Sequence, residues 1–306
     1  MSSASAKIIL FGEHAVVYGQ PAIAVPVSAL KAYAKVVSTD VEQFQIIARD
    51  LNDKIITFDE HEPLLRVVHL TLEHLGKTIP DIAIEVRSDI PIASGLGSGA
   101  AISTVIVRAL ADYFDFFLSD EIVNQIVFES EKLHHGTPSG IDNTVIVYEK
   151  AVYFVREQAI ESIKIATPLK LLIGNTGRTA LTKHAVGDVA RLYKDKSTNT
   201  KQIVNQIGII SEKARVALEN GDAELLGKLM NHNHRLLRDL TVSSDELDTL
   251  VKVATDAGAY GAKLSGGGRG GNMIALVSDE AQSIVEQALL DAGAVSVVST
   301  ILEATD

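Results

Sequence analysis

A lone carboxylate within a stretch of turn-forming residues is the first candidate for chemistry. Residues 134–144 read HHGTPSGIDNT, in which Asp142 follows two glycines and a proline. An aspartate in such a stretch is usually a turn or cap residue. Here the apolar run TVIVY follows at once and is predicted to be a strand. We therefore expect Asp142 to point inward from the start of a buried strand.

A second candidate is the small-residue loop 91–101, PIASGLGSGAA, which directly precedes a predicted helix. Converging backbone N–H groups, together with about half a positive charge at a helix N-terminus, suit such a loop to binding phosphate. A flexible turn or close helix packing explains the glycines equally well. Glycine density alone therefore does not decide between these interpretations.

Two standard nucleotide motifs do not fit this loop. Gly95, Gly97 and Ala100 match the spacing G-x-G-x-x-A of a Rossmann site, but the segment RSDIPIAS separates them from the preceding strand. A Walker A loop ending at 76–78, GKT, would need a glycine where Thr71 stands. Any nucleotide site must therefore be of another kind.

The elements that must position these residues follow from hydrophobic patterning. The first sixty residues predict short Val- and Ile-rich strands at 7–11, 15–19, 22–28, 31–37, 44–48 and 54–58. Helical spacing and caps predict helices at 63–75, 103–114 and 120–133, with a strand at 81–86 before the glycine loop. The runs 144–148 and 151–155 predict a hairpin around Glu149 and Lys150.

The composition changes near 158–168, where several helices begin to dominate. Helices are predicted at 183–194, 201–219, 223–240, 244–257 and 281–292, with strands at 169–175 and 295–302. A second glycine cluster, KLSGGGRGGNMIALV, leads into another strand. The pattern indicates an α+β protein with a domain boundary near 155–170.

The bulk composition limits the classes of function. With 306 residues, 46% hydrophobic, the chain is long enough for one large or two medium domains. A net charge of -11 disfavours nucleic acid as a partner. The absence of cysteine excludes disulfides, thiolate zinc sites and a cysteine nucleophile. Neither a signal peptide nor a run of membrane-spanning length is present, so we expect a cytoplasmic protein with no membrane association.

Four stretches together resemble the GHMP kinase superfamily, and within it the mevalonate kinase family. They are KIILFGEHAVVYGQPAIAV at 7–25, PIASGLGSGAA at 91–101, HGTPSGIDN at 135–143 and KLSGGGRGGNMIAL at 263–276. The resemblance implies a two-domain α+β fold, with a mixed N-terminal sheet domain at 1–165 and a ferredoxin-like C-terminal domain at 166–306. It also implies an active site between the two domains.

The resemblance assigns roles to residues of the matched motifs. Asp142 becomes the catalytic base, presented by a turn through Gly136, Pro138 and Gly140, and Lys7 stabilises charge beside it. Glu131 becomes a Mg²⁺ ligand, joined by Ser98. The residues implied to bind ATP are Ser88, Ala93, Ser94, Gly95, Leu96, Gly97, Ser98, Gly99 and Ala100. Those implied to bind the substrate are Glu13, His14 and Thr182, with Lys183 beside it.

Two positions depart from the family pattern. Gly99 stands where a second loop serine, also a metal ligand, is usual, so the completion of the Mg²⁺ site is open. Arg269 stands where glycine is usual in KLSGGGRGG at 263–271, the third glycine motif after those at 91–101 and 135–143. A contact with phosphate and exposure to solvent are equally compatible with that arginine.

The implied activity is ATP-dependent phosphorylation of the 5-hydroxyl of mevalonate, a step of isoprenoid biosynthesis. Other kinases of the superfamily stay open as alternatives: a mevalonate 3-kinase, a phosphomevalonate kinase or a sugar kinase. A non-catalytic ATP- or ligand-binding sensor is the alternative from another class, although the catalytic pattern Lys7, Glu131 and Asp142 argues against it. The family also leaves a homodimer open.

Overall fold

The computed structural model describes residues 1–38, 43–56, 63–92, 94–135, 140–179, 182–195 and 198–305. The chain forms two compact units whose segments alternate along the sequence. The first comprises Met1–Ala6, Leu30–Ile92 and Gly97–Glu149, and the second comprises Lys7–Ala29, Ala93–Leu96 and Lys150–Asp306. The domain division at residue 165 stays a prediction.

The elements up to residue 149 are five strands and four helices in the described ranges. They are β1 (Ser2–Phe11), β2 (Ala22–Val37), β3 (Gln45–Ala48), β4 (Lys54–Ile56), α1 (Pro63–Leu75), β5 (Ala83–Ser88), α2 (Ser98–Tyr113), α3 (Asp120–His135) and α4 (Ile141–Tyr148). Short 3₁₀ helices at Ala15–Tyr18 and Arg49–Leu51 lie among them. β1 and β2 pair with each other.

In the first unit, β5 lies between two partners. It pairs antiparallel with the second half of β2 and parallel with β3, and β3 pairs antiparallel with β4. α2 contacts α1, α3, α4 and β5, so it is surrounded by other elements. Most of its side chains are buried, from Ala100 to Ala111. The predicted helix at 103–114 is thus confirmed, and its nearly all-apolar sequence accounts for its burial.

The elements from residue 150 onward belong to the second unit. They are β6 (Val152–Phe154), β7 (Glu161–Ser162), β8 (Leu169–Asn175), α5 (Thr182–Lys194), α6 (Thr198–Asn220), α7 (Ala223–Asp239), α8 (Asp245–Asp256), β9 (Gly261–Ser265), β10 (Asn272–Val277), α9 (Asp279–Asp291) and β11 (Ser296–Leu302). The first residues of β2 pair with β6, which pairs with β7.

An antiparallel sheet in the order β11-β8-β10-β9 is the centre of the second unit. Helices α7, α8 and α9 contact it, and every residue of β9 and β10 is buried. α7 approaches β9 closely at two glycines: a Cβ on Gly261 would lie 2.0 Å from the carbonyl oxygen of Gly227. Glycine at both positions therefore lets the helix backbone rest on the strand. The α+β class predicted from the sequence is confirmed.

The predicted strand at 144–148 is wrong, because TVIVY lies in helix α4 and Asp142 occupies the first turn of that helix. A short apolar run fits a buried strand and a buried helix equally well. Gly140, with φ 87°, is the N-cap of α4. Contacts with α2 and α3 bury the β-branched residues of α4 in a helical conformation. Tertiary packing therefore overrides their β propensity.

Other elements also differ from prediction. The predicted strand at 15–19 is a 3₁₀ helix at Ala15–Tyr18, flanked by residues with positive φ, His14 at 60° and Gly19 at 79°. The separate strands 22–28 and 31–37 form the single strand β2, whose two ends pair with different partners. The second glycine cluster begins with strand β9, which was not predicted. No helix in the described part of the chain is both long and apolar enough to cross a bilayer.

Candidate active site

The candidate phosphate loop leads directly into the N-terminus of α2. Gly95 and Gly97 have φ values of 81° and 77°, a backbone conformation that glycine adopts without strain. The first intrahelical bond runs from the N–H of Ala101 to the carbonyl of Gly97, at 3.0 Å. The preceding N–H groups of a helix have no intrahelical acceptor and favour an anion. The local geometry therefore suits a phosphate.

Glu131 of α3 packs against this first turn of α2. Its side chain is buried, and a Cβ built on Gly99 would lie 3.4 Å from its Oε1 atom. The predicted metal ligand and the position of the missing serine are therefore neighbours. Ser98 precedes Gly99 and supplies a hydroxyl oxygen in the same turn. Carboxylate and hydroxyl oxygens are ligands that suit Mg²⁺.

No group of three or more His, Asp or Glu side chains among the described residues could hold a metal ion. A site with one protein carboxylate is what Mg²⁺ uses when nucleotide phosphates and water complete its coordination. The donor set around Glu131 therefore fits a metal that binds together with a nucleotide.

Asp142 is the acidic residue in the first turn of α4. A carboxylate there complements the positive end of the helix dipole. Its neighbours are fixed: the buried Asn143 donates from Nδ2 to Oδ1 of Asn124 at 2.6 Å, and the hydroxyl of Thr144 donates to the carbonyl of Gly140 at 2.7 Å. The backbone that carries Asp142 is therefore held on both sides of the helix start. The loop 136–139 lies outside the described residues.

In the second unit, the segment just before α2 is held at two points. The N–H of Lys7 in β1 donates to the carbonyl of Leu96 at 3.0 Å. The buried amide of Asn272, the first residue of β10, donates from Nδ2 to the carbonyl of Ser94 at 2.7 Å. The side chain of Lys7 is buried. Sequence reasoning missed Asn272, although its place directly after the third glycine motif was a usable signal.

Glu13 belongs to a buried network of charged and amide groups. Its Oε1 atom pairs with the ammonium of Lys263 in β9, and its Oε2 atom accepts from Nδ2 of Asn233 at 3.1 Å. Lys263 Nζ also donates to the carbonyl of Leu264 at 2.6 Å. Both carboxylate oxygens are thus engaged inside the protein, and direct contact of Glu13 with a substrate stays a prediction. Lys263 and Asn233 were not predicted, although Lys263 begins the K-L-S-G motif.

His14 has a strained backbone and a buried ring. Its φ and ψ are 60° and -42°, and its Nε2 atom lies 3.0 Å from the carbonyl oxygen of Gly267. A carbonyl oxygen only accepts, so Nε2 carries the proton and Nδ1 is an acceptor. Burial lowers the pKa of His14 to about 4, which keeps the ring neutral. Nδ1 is buried, and none of the residues that the structure describes donates to it. It therefore suits a hydroxyl donor from a ligand.

Arg269 has a contact that neither sequence interpretation included. Its Nη1 atom pairs with Oδ2 of Asp188 in α5 at 2.5 Å, and its Nε atom donates to the carbonyl of Thr241 at 3.2 Å. Arg269, and then Arg191, lower the pKa of Asp188. The arginine therefore links the third glycine motif to α5.

Several predicted residues cannot be placed in a site by these contacts. Ala93 and the side chains of Thr182 and Lys183 lie outside the described residues. Ser88 ends β5, and its hydroxyl accepts from the N–H of Ile90 at 3.2 Å. The roles assigned to all these residues stay predictions.

Models of one family match two parts of the chain. The GHMP kinases N terminal domain matches residues 63–150, and the GHMP kinases C terminal model matches residues 214–295. The first range contains the helix-capping glycine loop together with Glu131 and Asp142, and the second contains β9, β10 and the third glycine motif. The class of protein that the fold and the site define is therefore a GHMP kinase.

Individual relatives identify the family within the GHMP kinases to which this chain is similar. A mevalonate kinase of Thermococcus sibiricus is 35% identical over 98% of this chain and 96% of its own, and one of Pyrococcus abyssi is 35% identical over 98% and 95%. The crystal structure of L. major mevalonate kinase in complex with R-mevalonate has a TM-score of 0.88 and 29% identity, covering 99% of this chain and 95% of that one. The chain belongs to the mevalonate kinase family of the GHMP kinases. The resemblance noted in the sequence is thereby confirmed.

Proposed function

We propose that this protein transfers the γ-phosphoryl group of ATP to the 5-hydroxyl of mevalonate. One observation carries the proposal. In a chain of the mevalonate kinase family, the buried carboxylate of Glu131 lies beside Gly99, in the first turn of α2. That pairing suits a nucleotide phosphate bound with a divalent metal.

The nucleotide phosphates would bind the N–H groups that begin α2. The preceding segment is already ordered, because β1 holds Leu96 and Asn272 holds Ser94. Glu131 and Ser98 would hold Mg²⁺, which when bound offsets the charge of the phosphates. Lys7 would add positive charge for the phosphoryl group in transfer.

Asp142 would accept the proton of the 5-hydroxyl as its oxygen bonds to the γ-phosphorus and the bond to the ADP oxygen breaks. General base catalysis of this kind contributes about 10²–10⁴ in rate. His14 would orient the substrate by accepting a hydrogen bond from a hydroxyl at Nδ1. Positioning and charge stabilisation supply most of the acceleration in phosphoryl transfer.

The test is ADP release by the purified protein with Mg²⁺, ATP and one acceptor at a time: mevalonate, its 3- and 5-phosphates, or galactose. We expect turnover with mevalonate alone. The product is then examined by proton-coupled ³¹P NMR, since a phosphate on the primary 5-oxygen couples to the CH₂ protons, whereas one on the tertiary 3-oxygen does not.

Other outcomes would identify one of the alternative functions. An uncoupled phosphorus signal would identify a 3-kinase, and turnover with 5-phosphomevalonate would identify a phosphomevalonate kinase. ATP binding without ADP release for any acceptor would identify a sensor.

A further inference from the structure

Helix α5 has little buried surface of its own. Among its described side chains, 184–194, only Ala185 and Val189 are buried. Gly187 lies at its middle, and glycine weakens a helix interior. The helix therefore depends on contacts made by its polar and aromatic side chains.

Two of the contacts that the described side chains of α5 make lead to segments near His14, one from the centre of the helix and one from its C-terminal turn. Asp188 pairs with Arg269 of the third glycine motif. Tyr193 stacks on Tyr18, with ring centroids 3.9 Å apart and an interplanar angle of 19°. Tyr18 ends the 3₁₀ helix Ala15–Tyr18.

The two segments that α5 contacts, the 3₁₀ helix and the third glycine motif, also fix the position of His14. The 3₁₀ helix begins at the residue after His14, and the glycine motif supplies Gly267, whose carbonyl accepts from the His14 ring. Helix α5 thus bridges the two sides of the candidate substrate residue. A loss of either anchor would loosen the frame in which His14 is held.

Arg269 adopts a conformation that favours glycine, with φ 58°. Its N–H donates to the carbonyl of Val242 at 2.8 Å, and its guanidinium reaches both Thr241 and Asp188. A glycine would fit the backbone better but would lose both guanidinium contacts. A strained residue kept at such a position points to a role for its side chain.

We propose that Arg269 is a positioning residue for substrate binding, because its ion pair with Asp188 keeps α5 docked across the segments that hold His14. This inference rests on the proposed function. Apparent affinity falls in proportion to the fraction of molecules in the binding-competent state. Loss of the tether therefore raises the KM for mevalonate and leaves kcat unchanged. The KM for ATP is also unchanged, because Lys7 and Asn272 hold the nucleotide segment independently of α5.

The test compares Arg269→Gly with Arg191→Ala. Arg269→Gly removes the tether and relaxes the backbone, so it should fold. Arg191 contacts the same Asp188 but lies on α5 itself, so it cannot tether the helix and is the matched control. A half-exposed ion pair is worth up to about 1 kcal/mol, so we expect the KM for mevalonate to rise in Arg269→Gly alone, by up to about fivefold. Arg269→Lys, which keeps the charge, should restore most of the affinity.

Hydrogen exchange of the peptide 184–195 is the second measurement, made on the same full-length proteins. Faster exchange in Arg269→Gly than in Arg191→Ala, together with the KM change, supports the proposal. Unchanged KM, or an equal rise in the KM values for ATP and mevalonate, overturns it. If the wild-type protein does not turn over mevalonate, the proposed function fails. In that case hydrogen exchange alone tests whether the Arg269–Asp188 ion pair holds α5. Unaltered exchange in Arg269→Gly would then overturn this part of the proposal.

Discussion

The ammonium of Lys263 pairs with the carboxylate of Glu13, and both side chains are completely buried. Burial lowers the pKa of Lys263, while the charge of Glu13 opposes that change. The pair joins β9 to the segment that follows β1, directly before His14. Two charges in such a place cost desolvation energy and stabilise each other only while both are present.

Removal of one partner of this pair is therefore expected to lower the stability of the protein severely. Lys263→Met should lower the free energy of unfolding by about 3–5 kcal/mol, because it leaves the buried carboxylate of Glu13 without a counter-ion. Urea denaturation measures the loss. Lys252→Met, which removes an exposed i,i+4 pair with Asp256, is the control and should cost about 0.5 kcal/mol or less.

The double variant Glu13→Gln/Lys263→Met tests the reason for that loss. Because neither charge remains unpaired, it should be more stable than Lys263→Met alone. A double variant that is less stable by the sum of the two single losses would contradict an electrostatic coupling between the residues.

Asp142→Asn should reduce kcat by about 10²–10⁴-fold, because the amide keeps the shape of the side chain but cannot accept the proton. Steady-state ADP release measures it, with ATP affinity as a check of the fold. Asp120→Asn, also in the first turn of a helix but half-exposed, is the matched control and should retain wild-type turnover. Near wild-type turnover in Asp142→Asn would sink the assignment of the base.

Gly99→Ser should lower the Mg²⁺ concentration needed for half-maximal activity by about fivefold, equivalent to roughly 1 kcal/mol. The added Cβ fits at van der Waals distance from Glu131, and the hydroxyl adds an oxygen ligand beside that carboxylate. Gly99→Ala adds the same Cβ without the oxygen. Equal Mg²⁺ dependence of the two variants would show that the hydroxyl does not reach the metal.

Two buried histidines should make the protein less stable in mild acid. Burial lowers the pKa of His14 to about 4, and burial also lowers the pKa of His234 to about 4, although Asp248 opposes it. Nδ1 of His234 accepts from the N–H of Leu264, and Nε2 lies 3.1 Å from Oδ1 of Asp248. In the unfolded chain the ordinary pKa is about 6.5, so the unfolded state binds protons that the folded state does not.

The resulting stability is fully present above about pH 6.5 and is lost as the pH falls towards 4, by about 1.4 kcal/mol per pH unit for each histidine. Urea midpoints at pH 7, 6 and 5 measure the slope. His14→Asn should reduce it by about half in this window, because asparagine does not titrate. A slope unaltered by that substitution would contradict the role of burial at His14.

Elements with a strong local signal could be predicted from the sequence. α1 begins and ends where its 3.6-residue apolar period and Pro63 indicate, and β8 coincides with the run LKLLIGN. α8 was predicted to begin at residue 244, and Ser244 is its N-cap, accepting from the N–H of Leu247. In each case neighbouring residues determine the conformation.

The helical conformation of α4 and the partner of Arg269 could not be predicted from neighbouring residues in the sequence. The run TVIVY has no charged residue to reveal a face, so only its burial against α2 and α3 decides that it is helical. Arg269 finds its partner 81 residues away, on a helix that no local pattern connects with it.

The sequence by itself determined the family, the kinase chemistry and the identity of the candidate residues, because these depend on short motifs whose members lie close together in the chain. Only the tertiary structure decided that Glu13 neutralises Lys263, that Gly99 faces Glu131 and that Arg269 holds α5. Those relationships join residues that are distant in the chain, and they depend on burial, which exists only once the chain has folded.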